Sequence, residues 1–135
     1  MPIVLTIIPE QIYSLIMYIK SVQWIGSSDK DMRAMPDDIR KTFGFALYLA
    51  QQGQKHDQAK AMKGFGSAAV LEVVEDDRNG TYRAVYTVRF RKAVYVLHCF
   101  QKKSTSGIAT AQQDIDLIKR RLALAEQHAK ENGYD

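Results

Sequence analysis

The sequence of 135 residues contains a single cysteine, Cys99. One cysteine excludes an internal disulfide, and the absence of a second thiol excludes a cysteine-based zinc site. A lone thiol fits a reducing compartment, so we expect a cytoplasmic protein.

The chain also lacks an apolar run long enough to span a membrane. Its first residues, "MPIVLTIIPEQIYSLIMYIK", are apolar, but Pro9, Glu10 and Lys20 interrupt them short of the roughly 20 apolar residues that a span needs. No basic region precedes the apolar part, which is unlike a secretory signal. We interpret residues 1–20 as an extension, and residues 1–16 as the product of an upstream start ahead of Met17.

The composition is that of one ordinary globular domain. The hydrophobic fraction is 46% and the charged fraction is 25%, which excludes wholesale disorder. A chain of this length holds one core, and we place a single domain at residues 21–131. The net charge of +4 favours an anionic partner. We expect no membrane partner.

Residues 19–53 predict a strand followed by two helices. The segment "IKSVQWIG" is rich in β-branched and aromatic residues, which is typical of a strand. Ser28 and Asp31 outline a capping box for a short helix, and Pro36 suits the first turn of the next helix. The second helix has one apolar stripe, made by Ile39, Phe43, Leu47 and Ala50.

The second half of the chain predicts three strands and a long helix. Residues 54–67, "QKHDQAKAMKGFGS", are polar and contain glycines, so we interpret them as a loop. Three strand-like runs follow, with Asn79-Gly80 as a hairpin turn between the first two. Thr110 predicts the cap of a final helix. The apolar stripe of that helix consists of Ile115, Ile118, Leu122, Ala125 and Ala129.

The predicted fold is therefore a compact α+β domain with the order β-α-α-β-β-β-α. Its sheet is mostly antiparallel, and the helices are expected to pack on one face. The other face is then open to a ligand.

Basic residues are expected to gather on that open face. Because side chains alternate along a strand, Arg83 and Arg89 point to one side of the middle strand, while Tyr82, Ala84 and Tyr86 point to the other. On the last strand, we expect Val94, Val96, His98 and Phe100 to share one face. Lysines of the preceding loop and at the end of the last strand add charge, namely Lys55, Lys60, Lys63, Lys102 and Lys103, and Gln101 adds a neutral polar side chain beside the last two. Arginine and lysine bind phosphate, so the pattern indicates an anion site.

Each of these features also has a purely structural interpretation. Lys102-Lys103 is typical of a solvated pair beside a hydrophobic strand. His98 in an apolar run is typical of a hydrogen-bonded core histidine, and the tyrosines of the middle strand are typical core residues. Arg83 and Arg89 can pair with Glu72 or Glu75 across the sheet.

Several segments together resemble a known family. "WIGSSDKDMRAMP", "AKAMKGFG", "YRAVYTVRF", "YVLHCFQKKS" and "DIDLIKRRL" are similar to the HigB-like, phage-type branch of the RelE/ParE toxin superfamily, from about Ser21 to His128. The resemblance implies a compact RelE-like fold. It also implies a type II toxin that cleaves mRNA, usually on the ribosome, and that a small helix-turn-helix antitoxin silences. The family uses no metal or other cofactor.

The resemblance assigns roles to particular residues. Arg83 is expected to bind the scissile phosphate, and Lys102 or Lys103 to stabilise the transition state or protonate the leaving group. His98 is the candidate base, because its ordinary pKa is near neutrality. Four further residues are expected to bind RNA: Lys60, Lys63, Arg89 and Gln101. Two family features are absent, namely an arginine after the glutamate of "LEVVE" and a catalytic tyrosine after the last strand.

Two other functions remain open on the same scaffold. ParE-type toxins poison DNA gyrase and cleave nothing, and mobile elements also carry inactive RNA-binding relics. The "FQKKS" cluster favours the nuclease, because a gyrase poison does not need paired lysines at that strand end.

Overall fold

The computed structural model describes residues 19–102 and 110–135. Residues 1–18 of the predicted extension, which include the start site at Met17, lie outside the described residues. Lys103 also lies outside them. The strands are β1 (Ser21–Trp24), β2 (Ala59–Ala61), β3 (Val70–Asp77), β4 (Gly80–Thr87) and β5 (Ala93–Gln101). The helices are α1 (Ser28–Arg33), α2 (Asp37–Gln51) and α3 (Gln112–Asn132), with a 3₁₀ turn at Gly66–Ala68.

The strands form one five-stranded sheet in the order β1-β5-β4-β3-β2. Only the pairing of β1 with β5 is parallel, and the other pairs are antiparallel. This confirms the predicted α+β class and the mostly antiparallel sheet. The element that the sequence did not predict is β2, which pairs Lys60 with Glu72 inside the segment interpreted as a loop. It is a short edge strand with two exposed residues, so it carries no alternating apolar pattern.

The starts of the helices differ from the predicted caps by small steps. The cap position of α1 is Ser27, whose hydroxyl donates to Asp31 at 2.7 Å, whereas Ser28 is buried and donates to the carbonyl of Val96. Ala111 occupies the cap position of α3 in place of Thr110. The predicted stripe of α2 is confirmed, since Ile39, Phe43, Leu47 and Ala50 are all buried.

The helices pack on both faces of the sheet, and the prediction that they pack on one face is wrong in this respect. Helices α1 and α2 cover one face and meet Tyr82, Tyr86 and Val96. Helix α3 covers the other, where it meets Val85 and Tyr95. Strand β5 is apolar on both sides, and Val85 and Thr87 of β4 are fully buried on the α3 side, so each face needs a cover. The tyrosines of β4 are core residues, as their structural interpretation predicts.

A β-bulge in β5 reverses the predicted faces of the residues that follow Leu97. Val85 pairs with His98, but the next residue of β4, Tyr86, pairs with Val96, so Leu97 is the extra residue. An extra residue shifts the alternation of everything that follows it. His98 therefore lies on the α3 side with Leu97, and the expectation that it shares a face with Val96 is wrong. Within the described ranges, no helix is long and apolar enough to cross a membrane.

Candidate functional site

A cleft lined by cationic side chains lies next to the start of α3, on the face of the sheet that α3 covers. Its volume is about 600 Å³. The four cations that line it are Lys60, Lys63, Arg83 and Lys102, and its polar neighbours include Glu72, Asp76, Thr81 and Thr110. We call this the basic cleft. Four cations against two carboxylates give it a net positive charge, which suits a phosphate chain.

The register of the sheet explains why these residues meet. Arg83 pairs with Val74, which is two residues from Glu72 on β3, and Glu72 pairs with Lys60 on β2. Residues two apart on a strand, and their partners across the ladder, share a face. The backbone amide of Lys102 donates to the carbonyl of Thr81 at 2.7 Å, which extends the pairing of β5 with β4 by one residue. The basic cleft is therefore a direct product of strand alternation.

Arg83 is the buried member of the basic cleft. It is only 6% exposed, and its Nη1 donates to Glu72 Oε2 at 3.1 Å and to Thr110 Oγ1 at 3.0 Å. The pairing of Arg83 with Glu72 across the sheet confirms the structural interpretation. A guanidinium held on two sides keeps one orientation, which is what a phosphate-binding fork needs. The structural and functional interpretations of Arg83 are therefore compatible.

The lysines of the basic cleft differ in exposure. Lys60 and Lys63 are exposed, and neither forms an ion pair with any residue in the described part of the chain. Lys102 is half-buried at the end of β5. An anion would therefore meet two exposed lysines first and two less exposed cations, Arg83 and Lys102, after them.

A second cleft runs along the edge of β5, beyond the end of β1. Its volume is about 750 Å³, and its lining includes Asp31 from α1, Asp114 from α3, and His98 and Gln101 from β5. We call this the edge cleft. Lys102 lines both clefts, so they adjoin at the end of β5.

His98 is held by α3 and by its own strand. Its Nε2 lies 2.9 Å from Asp114 Oδ1, and its ring stacks on Phe100 with centroids 4.3 Å apart. Burial lowers the pKa of His98, and the hydrogen bond and charge of Asp114 oppose that shift. With a neutral ring, Nε2 carries the proton that Asp114 accepts, and Nδ1 presents a lone pair. Nδ1 is buried and has no hydrogen-bond partner among the described residues.

Two predicted site residues make structural contacts instead. Arg89 lines neither cleft, since its guanidinium pairs with Glu126 on α3 at 2.5 Å and lies over the ring of Phe90. Gln101 lines the edge cleft, and its amide donates to the carbonyl of Asn79 at 2.9 Å, across the β3–β4 turn. A role for either residue in binding RNA stays a prediction.

The sequence interpretation predicted Glu72 as a partner of Arg83, but it missed the hydroxyl that also holds Arg83 and the carboxylate that holds His98. Thr110 was interpreted as a helix cap, although it binds Arg83 from 27 residues away. Asp114 meets His98 from 16 residues away. No local pattern marks such contacts, because they depend on where α3 crosses the sheet.

The comparisons with known proteins agree with this architecture. The structure is similar to a doubly substituted variant of the E. coli toxin RelE in the free state, with a TM-score of 0.52 and 16% sequence identity. The match covers 76% of this chain and 97% of the RelE chain, and at this identity it shows the fold alone. No curated protein matches the chain at a significant level.

A family model describes most of the chain. The model of the phage-derived Gp49-like proteins matches residues 30–123, a range that contains every described residue lining the two clefts. The chain therefore belongs to the phage-derived Gp49-like family, a family of RelE/HigB-like toxins.

Proposed function

We propose that this protein is the toxin of a type II toxin-antitoxin pair and that it cleaves mRNA without a metal ion. The observation that carries the proposal is the convergence of Lys60, Lys63, Arg83 and Lys102 on one cleft. Family membership and the RelE-like fold support the toxin class. The partners in this proposal are mRNA, bound on the ribosome in the cytoplasm, and a helix-turn-helix antitoxin that silences the toxin.

The basic cleft supplies two of the things that RNA cleavage by the 2′-hydroxyl needs, namely charge stabilisation and a proton donor. The reaction requires in-line geometry, an acceptor for the proton that the 2′-hydroxyl loses, stabilisation of charge on the pentacovalent phosphate, and a proton donor for the leaving 5′-oxygen. In this proposal solvent water in the open cleft accepts the 2′-hydroxyl proton. Arg83 binds the scissile phosphate, because its orientation is fixed by Glu72 and Thr110. Lys60 and Lys63 hold the flanking phosphates from the rim.

Lys102 lies closest to the point where the two clefts meet, and it is the residue to which we assign transition-state charge or leaving-group protonation. Lys103 follows it and shares that role in the proposal. His98 lines the edge cleft and not the basic cleft, so we assign it no proton transfer at the scissile phosphate.

The domain that performs this function is proposed to be residues 21–131, with residues 1–20 as an extension. In the structure, β1 begins at Ser21 and α3 continues to Asn132. The intact mass of the natively expressed protein tests the proposed start at Met17. A mass that includes residues 1–16 contradicts it.

The test of function is induced expression with primer extension on cellular mRNA. The wild-type chain is expected to arrest growth and produce discrete cuts, and Lys102→Ala and Arg83→Gln are expected to do neither. The matched controls are Lys119→Ala and Arg120→Ala, which remove exposed cations of the same types from α3. Thermal unfolding of each purified variant separates loss of activity from loss of folding.

Each outcome points to one function. Cuts that need Lys102 and Arg83, but not Lys119 or Arg120, support the nuclease. Arrest without cuts contradicts the nuclease and favours a gyrase poison of the ParE type. No arrest and no cuts, from a folded protein, favour an inactive relic.

A further inference from the structure

The end of the Arg83 side chain is already engaged by protein groups. Arg83 is 6% exposed, and its Nη1 donates to Glu72 Oε2 at 3.1 Å and to Thr110 Oγ1 at 3.0 Å. Each terminal nitrogen of a guanidinium carries two N–H groups, so these two acceptors use both N–H groups of Nη1. RNA that enters the basic cleft therefore meets an arginine whose Nη1 is bonded within the protein.

A phosphate that binds Arg83 has to compete for Nη1. Phosphate commonly binds a guanidinium in a bidentate way, through two parallel N–H groups. Nε of Arg83 is fully buried, which leaves the edge formed by Nη1 and Nη2. One phosphate oxygen then has to take the place of either Glu72 or Thr110 on Nη1.

Thr110 is the acceptor that a phosphate oxygen displaces at the lower cost. An ionised phosphate oxygen accepts from a guanidinium more strongly than a neutral hydroxyl does, because both partners then carry charge. Displacing Glu72 instead leaves a carboxylate that is 14% exposed beside a second anion, which is costly. Thr110 lines the basic cleft and precedes the cap position of α3, so a phosphate in the cleft reaches it directly.

We propose that Thr110 forms an autoinhibitory contact: its hydroxyl occupies the position of a phosphate oxygen on Nη1 of Arg83, and RNA has to displace it. The inference rests on the proposed function, because it requires a phosphate of RNA on Arg83. In the absence of RNA, the contact keeps the guanidinium oriented. When RNA binds, the free energy of the contact is lost, and the affinity for RNA is lower by the corresponding factor.

The experiment measures binding of a 2′-fluoro uridine hexamer, which lacks the nucleophilic hydroxyl, by fluorescence anisotropy at one fixed salt concentration. Thr110→Val removes the hydroxyl and keeps the shape and charge of the side chain. It is expected to bind the hexamer about tenfold more tightly than the wild type, because no hydrogen bond to Thr110 is then lost on binding. The charge of the protein is unchanged, so tighter binding does not arise from electrostatic attraction.

Two further variants show whether the effect passes through the guanidinium and the hydroxyl. In an Arg83→Gln background, Thr110→Val is expected to change the affinity by less than about twofold, because the contact is already absent. Thr110→Ala removes the same hydroxyl with a smaller side chain and is also expected to tighten binding. It keeps the test independent of how one replacement packs.

The control is Thr42→Val, which makes the same substitution on α2. The hydroxyl of Thr42 donates to the carbonyl of Asp38 at 3.3 Å, and the residue lines neither cleft. This variant is expected to keep the wild-type affinity. Unfolding midpoints of all variants establish that they are folded.

The outcomes separate the inference from the proposed function. If the wild type binds the hexamer and the folded Thr110 variants bind it equally or more weakly, the autoinhibitory contact is overturned and phosphate binding stays intact. Tightening that persists in the Arg83→Gln background also overturns it, because the hydroxyl then acts elsewhere. Failure of the wild type and of both Thr110 variants to bind overturns the proposed function, and the inference with it.

Discussion

The guanidinium of Arg121 donates a hydrogen bond to the carbonyl of Leu97 at 2.9 Å, at the residue that the bulge leaves without a partner in β4. The same side chain donates to Ser27 Oγ at 3.1 Å and packs over Gly26, whose positive φ places the turn before α1 against it. Arg121 thus joins α3, the bulge in β5 and the start of α1. The bulge sets the face of His98, so Arg121 also stabilises the geometry of the edge cleft.

Arg121→Ala is expected to lower the free energy of unfolding by about 1–3 kcal/mol, because it leaves a carbonyl at the bulge without its charged donor. Urea unfolding followed by circular dichroism measures the change. The control is Arg120→Ala on the exposed side of α3, which is expected to change stability by no more than about 0.5 kcal/mol. Equal stability of the two variants would contradict the role of Arg121 at the bulge.

Local periodicity predicted the elements that depend on nearby residues. The stripe from Ile39 to Ala50 defined the buried side of α2, and the Asn79-Gly80 turn defined the β3–β4 hairpin. In both cases the information lies within a few residues of the chain. The predicted order of elements therefore matches the structure, apart from β2, which has too few residues to show a pattern.

The faces of β5 beyond Leu97 could not be predicted, because nothing in the residues of β5 marks the bulge. The sequence "AVYVLHCF" is an apolar run without a turn residue, yet Leu97 is the extra residue, and it moves His98 to the side of α3. Whether an extra residue is tolerated depends on a donor such as Arg121, 24 residues away. The basic residues of the site and the partner Glu72 were predicted, whereas Thr110, which binds Arg83, and Asp114, which binds His98, were not.

The ion pair between Arg83 and Glu72 is expected to make the effect of substituting one residue on the free energy of unfolding depend on whether the other residue is present. Their side chains are 7% and 14% exposed, so removing one partner leaves the other charge largely buried. Glu72→Gln and Arg83→Gln are each expected to cost about 3 kcal/mol, and the double variant much less than their sum. A double-mutant cycle in urea measures the coupling. Additive costs would show that the two residues contribute independently.

The stability of the protein is expected to fall as the pH drops below the ordinary pKa of histidine. Burial lowers the pKa of His98 in the folded state, so the unfolded chain binds a proton at a higher pH than the folded chain does. The stability gained from neutral His98 is therefore complete above a pH of about 6.5 and is lost as the pH falls toward the lowered pKa. The charged groups around this ring are Asp114 and Arg121 from α3 and Asp31 from α1.

Urea unfolding between about pH 5 and pH 8 measures this dependence for the wild type and for His98→Gln. The substitution retains a polar side chain at position 98 but removes the group that titrates there in this range. It is expected to show a shallower rise of stability with pH. If its pH dependence equals that of the wild type, groups other than His98 cause the effect.

Binding of RNA to the basic cleft is expected to weaken with salt in proportion to the number of cations engaged. For single strands, the slope of log K against log salt is about −0.7 for each phosphate neutralised, so the four cations give a slope of about −3. Lys63→Ala is expected to make the slope shallower by about 0.7, because one phosphate contact is lost. Anisotropy titrations with a 2′-fluoro uridine hexamer, at several salt concentrations, measure it.

Lys119→Ala is the control for this slope, since it removes an equal charge from the exposed side of α3 and leaves the basic cleft intact. Its slope is expected to equal that of the wild type. If Lys119→Ala and Lys63→Ala reduce the slope equally, the RNA responds to net charge and not to the basic cleft. A slope that changes only with Lys63 places a phosphate at the rim of the cleft, where an exposed lysine without an ion pair loses least on binding.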